Sequence, residues 1–522
     1  MISNEMKKKI GRLFMLGIPG ERISEEYKQF CEEHYCGNFC ISAANASTLE
    51  GLCAMTGELR ELAHRSAGEY PFISIDQEGG RVTRFYEGAA MLANAMNYAA
   101  IRADAAKMTE VGLRLGKILR ALGCNINNAP VLDVNIDPMN PIIGTRSYSD
   151  DPLKVAELGV GFSGGLEEAG VITAVKHFPG HGNVSADTHL ATAVNRVDGD
   201  TLRRTEFVPF RKAFEAGAGA TMTAHVSFSA FGEKPATLSR EIVTDLLRGE
   251  MGFDGVVITD SLIMRAIANA YPKGEAAVLA VEAGCDQLLY YPFKKDFVEE
   301  AINALYAAVE SGRILEARID ESCERIARQK KKYAIEVCAP DLELARSLIY
   351  NEASIAANFD DMLSSVTCIR DDGTLGRLQD KKILCIAPVC EAFLGVEESR
   401  RQTLSFADLF AAEFPNSKAC VSSVDGLTPE VAEAIAGDFD VAVIGVFGAD
   451  LKPRQLEIVK ALQEKGCPIV AVLLKSPYEA RYVKDCHSVI TCYGYVNISA
   501  AATVEAMKRK DYRGKLPVSL DS

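Results

Sequence analysis

The chain has 522 residues, of which 48% are hydrophobic and 25% are charged, and its formal net charge is −14. Because a single domain rarely exceeds about 250–300 residues, we expect two domains. The composition is typical of a folded globular protein and excludes intrinsic disorder and collagen-like repeats. The acidic balance, without a long basic run, argues against a nucleic-acid or anionic-membrane partner.

The start of the chain and its cysteines favour a cytoplasmic protein. Residues 1–20 carry a basic patch and only a short, broken apolar run, which is not the pattern of a secretory signal. No run of about 18 apolar residues occurs, so we expect no membrane-spanning segment. The 15 Cys residues are spread along both halves, often inside apolar runs, as reduced core thiols are.

Eight short apolar runs divide the first part of the chain, and most of them are too apolar to have a solvated face. They lie at 13–18, 37–42, 71–76, 126–134, 172–178, 220–226, 255–260 and 286–291. Parallel strands covered on both faces have this composition, and the intervals are long enough for crossover helices. The pattern predicts an α/β fold, a (β/α)8 barrel of the TIM type at 1–335. A helix at about 315–334 would close it.

A second α/β pattern follows a helical linker, which we place at 336–364 with its helix at 341–358. Five apolar runs then alternate with helical stretches, beginning with KILCIAP and ending with SVITCYG. This predicts a smaller, doubly wound α/β sandwich domain at 365–522. The GxGxxG motif is missing from it, so a dinucleotide site has no support.

Polar side chains follow nearly every predicted strand of the barrel, at the rim where barrels of this kind gather their catalytic groups. Those that we single out are Asp76, Arg84, Arg146, Lys176, His177 and Asp260. Each has a plainer explanation when taken alone, as a helix N-cap, a hydrogen-bonded core histidine or a surface ion pair. Their recurrence at one end of one barrel predicts a polar active site.

The segment Asp187-Thr188-His189 has a spacing with a chemical use. An Asp that accepts a hydrogen bond from one imidazole nitrogen fixes the tautomer and raises the basicity of the ring, so the other nitrogen can give or take a proton. The Gly- and Ser-containing loop at 182–189 would let this pair swing over a bound substrate. Asp260, at the end of a strand, is the better candidate nucleophile.

These residues lie in sequence blocks that resemble family 3 glycoside hydrolases, specifically the two-domain form of the N-acetyl-β-glucosaminidase branch. The blocks include DQEGGRVTRF (76–85), IIGTRSYSDDP (142–152), AVKHFPGHGNVSADTHL (174–190) and GFDGVVITDSL (252–262), in family order across the first domain. The long KHFPGHG signature with its following DTH is highly specific. The resemblance of the second domain, which ends in GKLPVSL (514–520), is weaker.

The resemblance implies a role for each predicted site residue. Asp260 would be the nucleophile that forms a covalent glycosyl-enzyme, His189 the general acid and base, and Asp187 the partner of His189. The residues that would hold the terminal GlcNAc, through its hydroxyls and N-acetyl group, are Asp76, Arg84, Arg146, Lys176 and His177. No metal or organic cofactor is implied. The cluster of Cys31, Cys36 and Cys40 with His34 matches no common zinc spacing, so we expect thiols there rather than a metal.

We therefore expect a cytoplasmic, retaining exo-β-N-acetylglucosaminidase that acts on small glycosides or oligosaccharides with terminal β-linked GlcNAc. The resemblance alone implies muropeptides of peptidoglycan recycling as the substrate. Two alternatives stay open: a β-N-acetylglucosaminide phosphorylase, because a neutral His base also suits phosphate as the acceptor, and a non-catalytic sugar-binding protein. The segments at 41–47 and 86–100 depart from the family pattern and bear on the aglycone. The second domain could cover the rim, contribute to the aglycone site or mediate a homodimer.

Overall fold

The structure is a computed structural model that describes residues 2–184, 193–390 and 404–520. Its first domain is built on parallel strands that alternate with helices along the chain. The strands are β1 (Phe14–Gly17), β2 (Asn38–Ile41), β3 (Ile73–Ile75), β4 (Ile126–Asn127), β5 (Ile172–Phe178), β6 (Ala193–Asn195), β7 (Ala220–Thr223), β8 (Val226–Phe228), β9 (Val256–Thr259) and β10 (Leu288–Tyr290). Strands β6 and β8 form a small separate pair.

The other eight strands form one parallel sheet in the order β10-β1-β2-β3-β4-β5-β7-β9. Its two ends meet, because the Thr259 amide donates to the Gln287 carbonyl at 2.9 Å and the Gln287 amide donates to the Val257 carbonyl at 3.0 Å. The sheet is therefore nearly closed, and the predicted barrel is confirmed. Strand β4 is shorter than the apolar run at 126–134, because Pro130 has no amide with which to continue the ladder.

Alternate residues of the barrel strands fill its interior. One buried cluster contains Met15, Cys40, Ile126, Ala174 and Ile258, one from each of five strands. Successive side chains of a strand point to opposite faces, so the residues two positions further along face the same interior. This periodicity directs the side chains that follow these positions into the carboxyl-terminal mouth of the barrel.

Helices cover the outside of the barrel and begin at side chains suited to cap them. Ser24, Thr48, Asp104 and Asp151 each accept a hydrogen bond from a backbone amide in the first turn of the helix that follows. The helices are α1 (Asn4–Arg12), α2 (Glu25–His34), α3 (Leu49–Ala67), α4 (Ala95–Ala100), α5 (Ala105–Ala121), α6 (Pro152–Glu168), α7 (Gly199–Arg204), α8 (Phe207–Glu215), a π-helix (Glu241–Glu250), α9 (Arg265–Ala268), α10 (Lys273–Ala283), α11 (Lys295–Glu310) and α12 (Glu316–Lys332). Helix α12 corresponds to the helix expected at about 315–334.

The linker contains two helices rather than the single helix expected at 341–358. They are α13 (Leu342–Ile349) and α14 (Glu352–Ser365). The break falls at Asn351, whose side chain accepts a hydrogen bond from the Ser354 amide at 2.9 Å and so starts a second helix. Both helices pack on the barrel, since Ile349 and Met362 belong to its main hydrophobic core.

The second domain is an open sheet with helices α15 (Phe406–Glu413), α16 (Pro429–Ala436), α17 (Leu456–Lys465) and α18 (Asn497–Arg509). Its strands are β11 (Thr367–Arg370), β12 (Ile383–Pro388), β13 (Ser417–Ser422), β14 (Val441–Val446), β15 (Ile469–Leu473) and β16 (Ser488–Thr491), in the order β11-β16-β15-β14-β12-β13. The five strands β12 to β16 are parallel and were expected, and separate hydrophobic clusters lie on the two faces of the sheet. Antiparallel β11 is an additional edge strand. The predicted doubly wound α/β sandwich is confirmed, and the boundaries at 335 and 365 stay predictions.

The second domain meets the barrel with the segments that follow its parallel strands. The Asn94 side chain donates to the Tyr493 carbonyl at 2.7 Å, and the Asn97 side chain donates to the Cys492 carbonyl at 3.0 Å. The Asn135 side chain donates to the hydroxyl of Tyr478 at 2.9 Å. These asparagines lie on the segments that follow β3 and β4. The carboxyl ends of the two sheets therefore face each other across the interface.

In the ranges that the structure describes, no helix is long and apolar enough to cross a membrane. Within the same ranges, no three His, Cys, Asp or Glu side chains are grouped as metal ligands would be. Cys31, Cys36 and Cys40 form no disulfide and are buried in the barrel domain.

Asn97 tests the interface, because its buried amide donates to the Ser365 hydroxyl at 2.7 Å as well as to the Cys492 carbonyl. We expect Asn97→Ala to lower the free energy of unfolding by ~1–3 kcal/mol, since two buried acceptors lose their donor. Urea denaturation measures this change. The control is Asn416→Ala at an exposed position, which should change stability by less than about 0.5 kcal/mol. Equal effects of the two substitutions would contradict the expectation.

Candidate active site

Three of the predicted site residues project into the carboxyl-terminal mouth of the barrel. Asp76 directly follows β3, Lys176 lies near the end of β5, and Asp260 directly follows β9. Ala174 and Ile258 face the barrel interior, so Lys176 and Asp260, two positions later, face the same way. The alternation that builds the barrel core thus also delivers charged groups to its mouth.

A chain of buried ion pairs joins Asp76 and Lys176 to Arg84 and Arg146, two of the other predicted ligands. The Lys176 Nζ lies 2.8 Å from Asp76 Oδ1 and 2.6 Å from Glu78 Oε1, and its side chain is only 3% exposed. The Nε and Nη2 atoms of Arg146 donate to the Oε2 and Oε1 atoms of Glu78, each at 2.8 Å. Arg84 Nη2 lies 3.5 Å from Asp76 Oδ2. The three cations outnumber the two carboxylates by one charge.

The pKa values of Asp76, Glu78 and Lys176 are shifted in the directions that keep these groups ionised. Burial alone would raise the pKa of Asp76, but Lys176 and Arg84 hold it below its ordinary value. Burial opposes ionisation of Glu78 as well, and Arg146 with Lys176 holds the pKa of that carboxyl far below its usual range. The pKa of Lys176 is raised, because its two carboxylates outweigh the effect of burial. All three groups are therefore ionised at neutral pH.

The fold of the segment after β3 depends on one buried amide. The Gln77 Nε2 donates to the carbonyls of Phe85 and Ala90, and the Gln77 Oε1 accepts from the amides of Arg84 and Phe85. These bonds fold the segment back so that Arg84 returns to Asp76. Arg81 ties the segment to its neighbour, because its Nη2 donates to the carbonyls of Ile142 and Ile143 at 2.8 and 2.9 Å.

His177 is held by Asp133, which follows β4. The Nδ1 of His177 lies 2.7 Å from Asp133 Oδ2, and the other ring nitrogen lies 3.4 Å from the Arg146 guanidinium. Since a guanidinium only donates, this arrangement fits a proton on Nδ1 and a lone pair on Nε2. Asp133 also accepts from the His181 amide at 2.6 Å. Burial would raise the pKa of Asp133, but the two histidines hold it below its ordinary value.

Asp260 differs from the buried cluster because it is partly exposed. Its Oδ1 accepts a hydrogen bond from the Ser261 amide at 2.7 Å. The carboxylate is thus oriented by the backbone and accessible to a ligand in the mouth. Asp187 and His189 lie outside the described residues, so their predicted roles stay predictions.

Glu78 and Asp133 complete the site without belonging to the set of residues singled out from the sequence. A signal for Glu78 was present, because it stands two positions after Asp76 and alternation places the two on one side. A signal for Asp133 was its position at the end of the fourth apolar run. The partner that each carboxylate contacts depends on segments distant in sequence, such as Glu78 and Arg146, which are 68 residues apart.

A family model, curated proteins and solved structures are similar to this chain. The model of the glycosyl hydrolase family 3 N terminal domain matches residues 5–329. Beta-hexosaminidase A of Pseudoalteromonas piscicida is 29% identical over 516 residues, which are 91% of this chain and 85% of that protein. A glycoside hydrolase family 3 beta-N-acetylglucosaminidase from Paenibacillus sp. str. FPU-7 has a similar structure, with a TM-score of 0.92 at 31% identity, covering 100% of this chain and 99% of that one. A beta-glucoside phosphorylase, at 21% identity and a TM-score of 0.83 over 100% of this chain and 95% of that one, shares the fold.

His181 gives the site a pH dependence that can be measured. Its burial lowers its pKa from 6.5 to about 4, so the unfolded chain binds one more proton between these values. The contribution of His181 to stability is therefore lost as pH falls through this window. We expect the free energy of unfolding of His181→Asn, relative to the unmodified protein, to rise by up to ~3 kcal/mol between pH 7 and pH 4.

The comparison must be made between variants, because burial raises the pKa of Glu479 to about 7 and gives an opposite dependence in the same range. Urea denaturation at several pH values measures the difference. Asn416→Ala, which changes an exposed residue without removing a titratable group, is the control and should show a constant difference. A constant difference for His181→Asn as well would contradict the expectation.

Proposed function

The chain belongs to glycosyl hydrolase family 3, and we propose that it is a retaining exo-β-N-acetylglucosaminidase in which Asp260 forms a covalent glycosyl-enzyme. Its activity is that of a glycoside hydrolase of the beta-N-acetylhexosaminidase type. The observation that carries the proposal is the position of Asp260, a partly exposed carboxylate at a barrel mouth lined by buried, ionised donors. A nucleophile on a rigid strand end beside a polar pocket is what a covalent mechanism at a sugar carbon requires.

The reaction proceeds in two displacements at the anomeric carbon. In the first, an Asp260 oxygen forms a bond to that carbon as the bond to the aglycone oxygen breaks, and His189 supplies a proton to the departing oxygen. In the second, His189 takes a proton from water, whose oxygen attacks the same carbon and releases Asp260. Each step inverts the configuration, so the product retains it. Asp187 orients His189 and stabilises its charged form.

The described residues beside the DTH segment support its assignment to the mouth. A β-carbon at Gly182 would lie 1.7 Å from the carbonyl oxygen of Val134, so only glycine permits this close approach. The Asp137 amide donates to the Gly182 carbonyl at 3.1 Å. The chain therefore enters the segment that carries Asp187 and His189 directly beside Asp133 and His177.

The buried ion-pair cluster serves as the sugar-binding wall. Asp76 and Glu78 offer acceptors for hydroxyl protons, while Lys176, Arg84 and Arg146 offer donors for hydroxyl and carbonyl oxygens. Because the members already hold one another in place, little side-chain entropy is lost when a ligand binds. Such a wall suits a terminal GlcNAc, which presents several hydroxyls and an amide carbonyl.

The substrates would be small glycosides and oligosaccharides with a terminal β-linked GlcNAc, with muropeptides of peptidoglycan recycling as the class implied by the family resemblance. The cysteines support action in a reducing compartment. None of the 15, all of which lie in the described residues, forms a disulfide, and most of them are buried. Stable disulfides are typical of oxidising compartments, whereas free core thiols are typical of the cytoplasm.

Asp260→Asn tests the nucleophile. The amide cannot form the glycosyl ester, so we expect the kcat for a chromogenic β-GlcNAc glycoside to fall by roughly 10³-fold or more while the melting temperature stays close to that of the unmodified protein. Asp380→Asn, at an exposed position of the second domain, is the matched control and should retain activity. Turnover by Asp260→Asn at the unmodified rate would overturn the assignment.

A second experiment distinguishes hydrolysis from phosphorolysis. The unmodified protein is incubated with the same glycoside with and without inorganic phosphate, and the sugar products are separated. We expect free GlcNAc in both reactions and an unchanged rate of release, because water is the acceptor in the second displacement. Phosphate-dependent formation of GlcNAc-1-phosphate in place of GlcNAc would establish the phosphorylase instead.

A further inference from the structure

We infer that His225 is a positioning residue for Asp260, and that it acts through the backbone of Ser261. The inference rests on the proposed role of Asp260 as nucleophile. His225 lies in the apolar run at 220–226, and the mechanism above does not use it. It joins two barrel elements at the point where the nucleophile is presented.

His225 is fixed by its place in the chain and by its burial. It lies between β7 of the barrel and β8 of the small sheet, and the residue is only 1% exposed. The amide of the preceding residue, Ala224, donates to the Phe178 carbonyl of neighbouring β5 at 2.8 Å. The backbone that carries the imidazole is therefore anchored on both sides.

Hydrogen bonds at both edges fix the orientation of the imidazole ring. Its Nε2 lies 3.0 Å from the Ser261 carbonyl oxygen, and its Nδ1 lies 2.8 Å from the Thr237 hydroxyl. Because a carbonyl oxygen can only accept, Nε2 carries a proton and donates it to Ser261. The Thr237 hydroxyl is itself held 2.9 Å from that of Thr223.

Ser261 is held by hydrogen bonds at its carbonyl, its hydroxyl and its amide. Its carbonyl also accepts from the Met264 amide at 3.0 Å. Its hydroxyl donates to the Tyr291 carbonyl at 2.6 Å and accepts from the Tyr291 amide at 3.0 Å. Its own amide donates to Asp260 Oδ1 at 2.7 Å. The bond from His225 thus helps to fix Ser261, whose N–H donates to the nucleophile.

The reason for a positioning role lies in the geometry of nucleophilic attack. A displacement of about 1 Å in the position of a reacting group can cost on the order of 100-fold in rate. If His225 holds Ser261 in place, its loss should slow the formation of the glycosyl-enzyme and leave the affinity for the sugar, which the ion-pair cluster determines, nearly unchanged. A histidine that only fills the core would affect stability instead.

Two substitutions of His225 distinguish a positioning role from a core-filling role, because each replaces a different nitrogen of the imidazole. The amide nitrogen of His225→Gln can replace Nε2 and donate to the Ser261 carbonyl. The amide of His225→Asn can replace only the Nδ1 edge, beside Thr237. The measurement is the trapping of Asp260 by a slowly hydrolysed 5-fluoro-GlcNAc donor, which yields a rate constant for glycosylation and a separate binding constant.

We expect His225→Asn to reduce the rate constant for trapping by about 10- to 100-fold, with the binding constant within about threefold of that of the unmodified protein. We expect His225→Gln to recover most of that rate. Equal rate constants for the two variants, or a change confined to binding, would overturn the inference. Melting temperatures verify that both variants are folded.

If His225→Asn does not fold, Thr237→Val takes its place, with Thr237→Ser as the control that keeps the hydroxyl. We expect a lower rate constant for Thr237→Val than for Thr237→Ser, and equal values would overturn the inference. Mass spectrometry of the trapped, unmodified protein distinguishes this result from failure of the proposed function. A label on a residue other than Asp260 refutes the proposed nucleophile, whereas a label on Asp260 with unchanged variants refutes only the role of His225.

Discussion

The ammonium group of Lys176 is almost completely buried, and the rest of the active site follows from that placement. A buried, unpaired charge is costly, so this site is stable only with carboxylates in contact with it. Asp76 and Glu78 supply them at 2.8 and 2.6 Å. Two carboxylates around one ammonium then require further cations, which Arg84 and Arg146 provide. The segments after β3 and β4 are thereby folded against each other and against the end of β5.

Removal of a single member from such a network leaves its partner charged and buried, at a cost of about 3–5 kcal/mol. The cluster therefore does more than present donors and acceptors to a ligand. It couples the stability of two loops and of the end of β5 to the geometry of one binding wall. Loops that carry function are often the least stable parts of a domain, and here buried charge opposes that tendency.

The second domain constrains the same two segments from the other side. Asn94 and Asn97 follow β3, Asn135 follows β4, and each donates to a group beyond the end of a parallel strand in the second sheet. Arg84 and Arg146 are thus carried on segments held between the charge cluster and the second domain. This arrangement gives the second domain a role in the shape of the site even where none of its side chains touches a ligand.

The sequence was informative where a feature depends on a local pattern of residues and uninformative where it depends on contacts between distant segments. Continuous apolar runs predicted the barrel strands, and the positions of Asp76, Lys176 and Asp260 at the ends of those runs predicted that they meet at one mouth. Strand β11 was not expected, because it is a short edge strand with only partial burial, and its partner β16 lies more than a hundred residues away.

The same distinction explains what was missed in the candidate site. The charge on Glu78 is evident from the sequence, whereas its function as the counter-ion of Arg146 requires the fold. The sequence likewise indicates only that His225 lies near the end of a predicted strand. Its contact with Ser261 joins residues 36 positions apart in the sequence. The contact forms because β7 and β9 pair in the barrel.

The electrostatics of the mouth bear on the source of the catalytic proton. Asp76 and Glu78 have pKa values held low by their cations, so neither carries a proton to donate near neutral pH. Burial lowers the pKa of His181 to about 4, which keeps that ring neutral. Both ring nitrogens of the other two described histidines of the mouth have partners. Those of His177 contact Asp133 and Arg146. Those of His225 contact Thr237 and Ser261.

A retaining mechanism nevertheless needs one group that donates a proton in the first displacement and accepts one in the second. Such a group needs a pKa near neutrality and an edge directed at the glycosidic oxygen. The described carboxylates of the mouth serve as counter-ions, as the hydrogen-bond partner of His177 or, in the case of Asp260, as the proposed nucleophile. The chain passes from this same mouth, at Gly182, into the segment that carries Asp187 and His189. Chemistry and chain path therefore both support the proposal that His189, with Asp187 as its partner, is the proton shuttle.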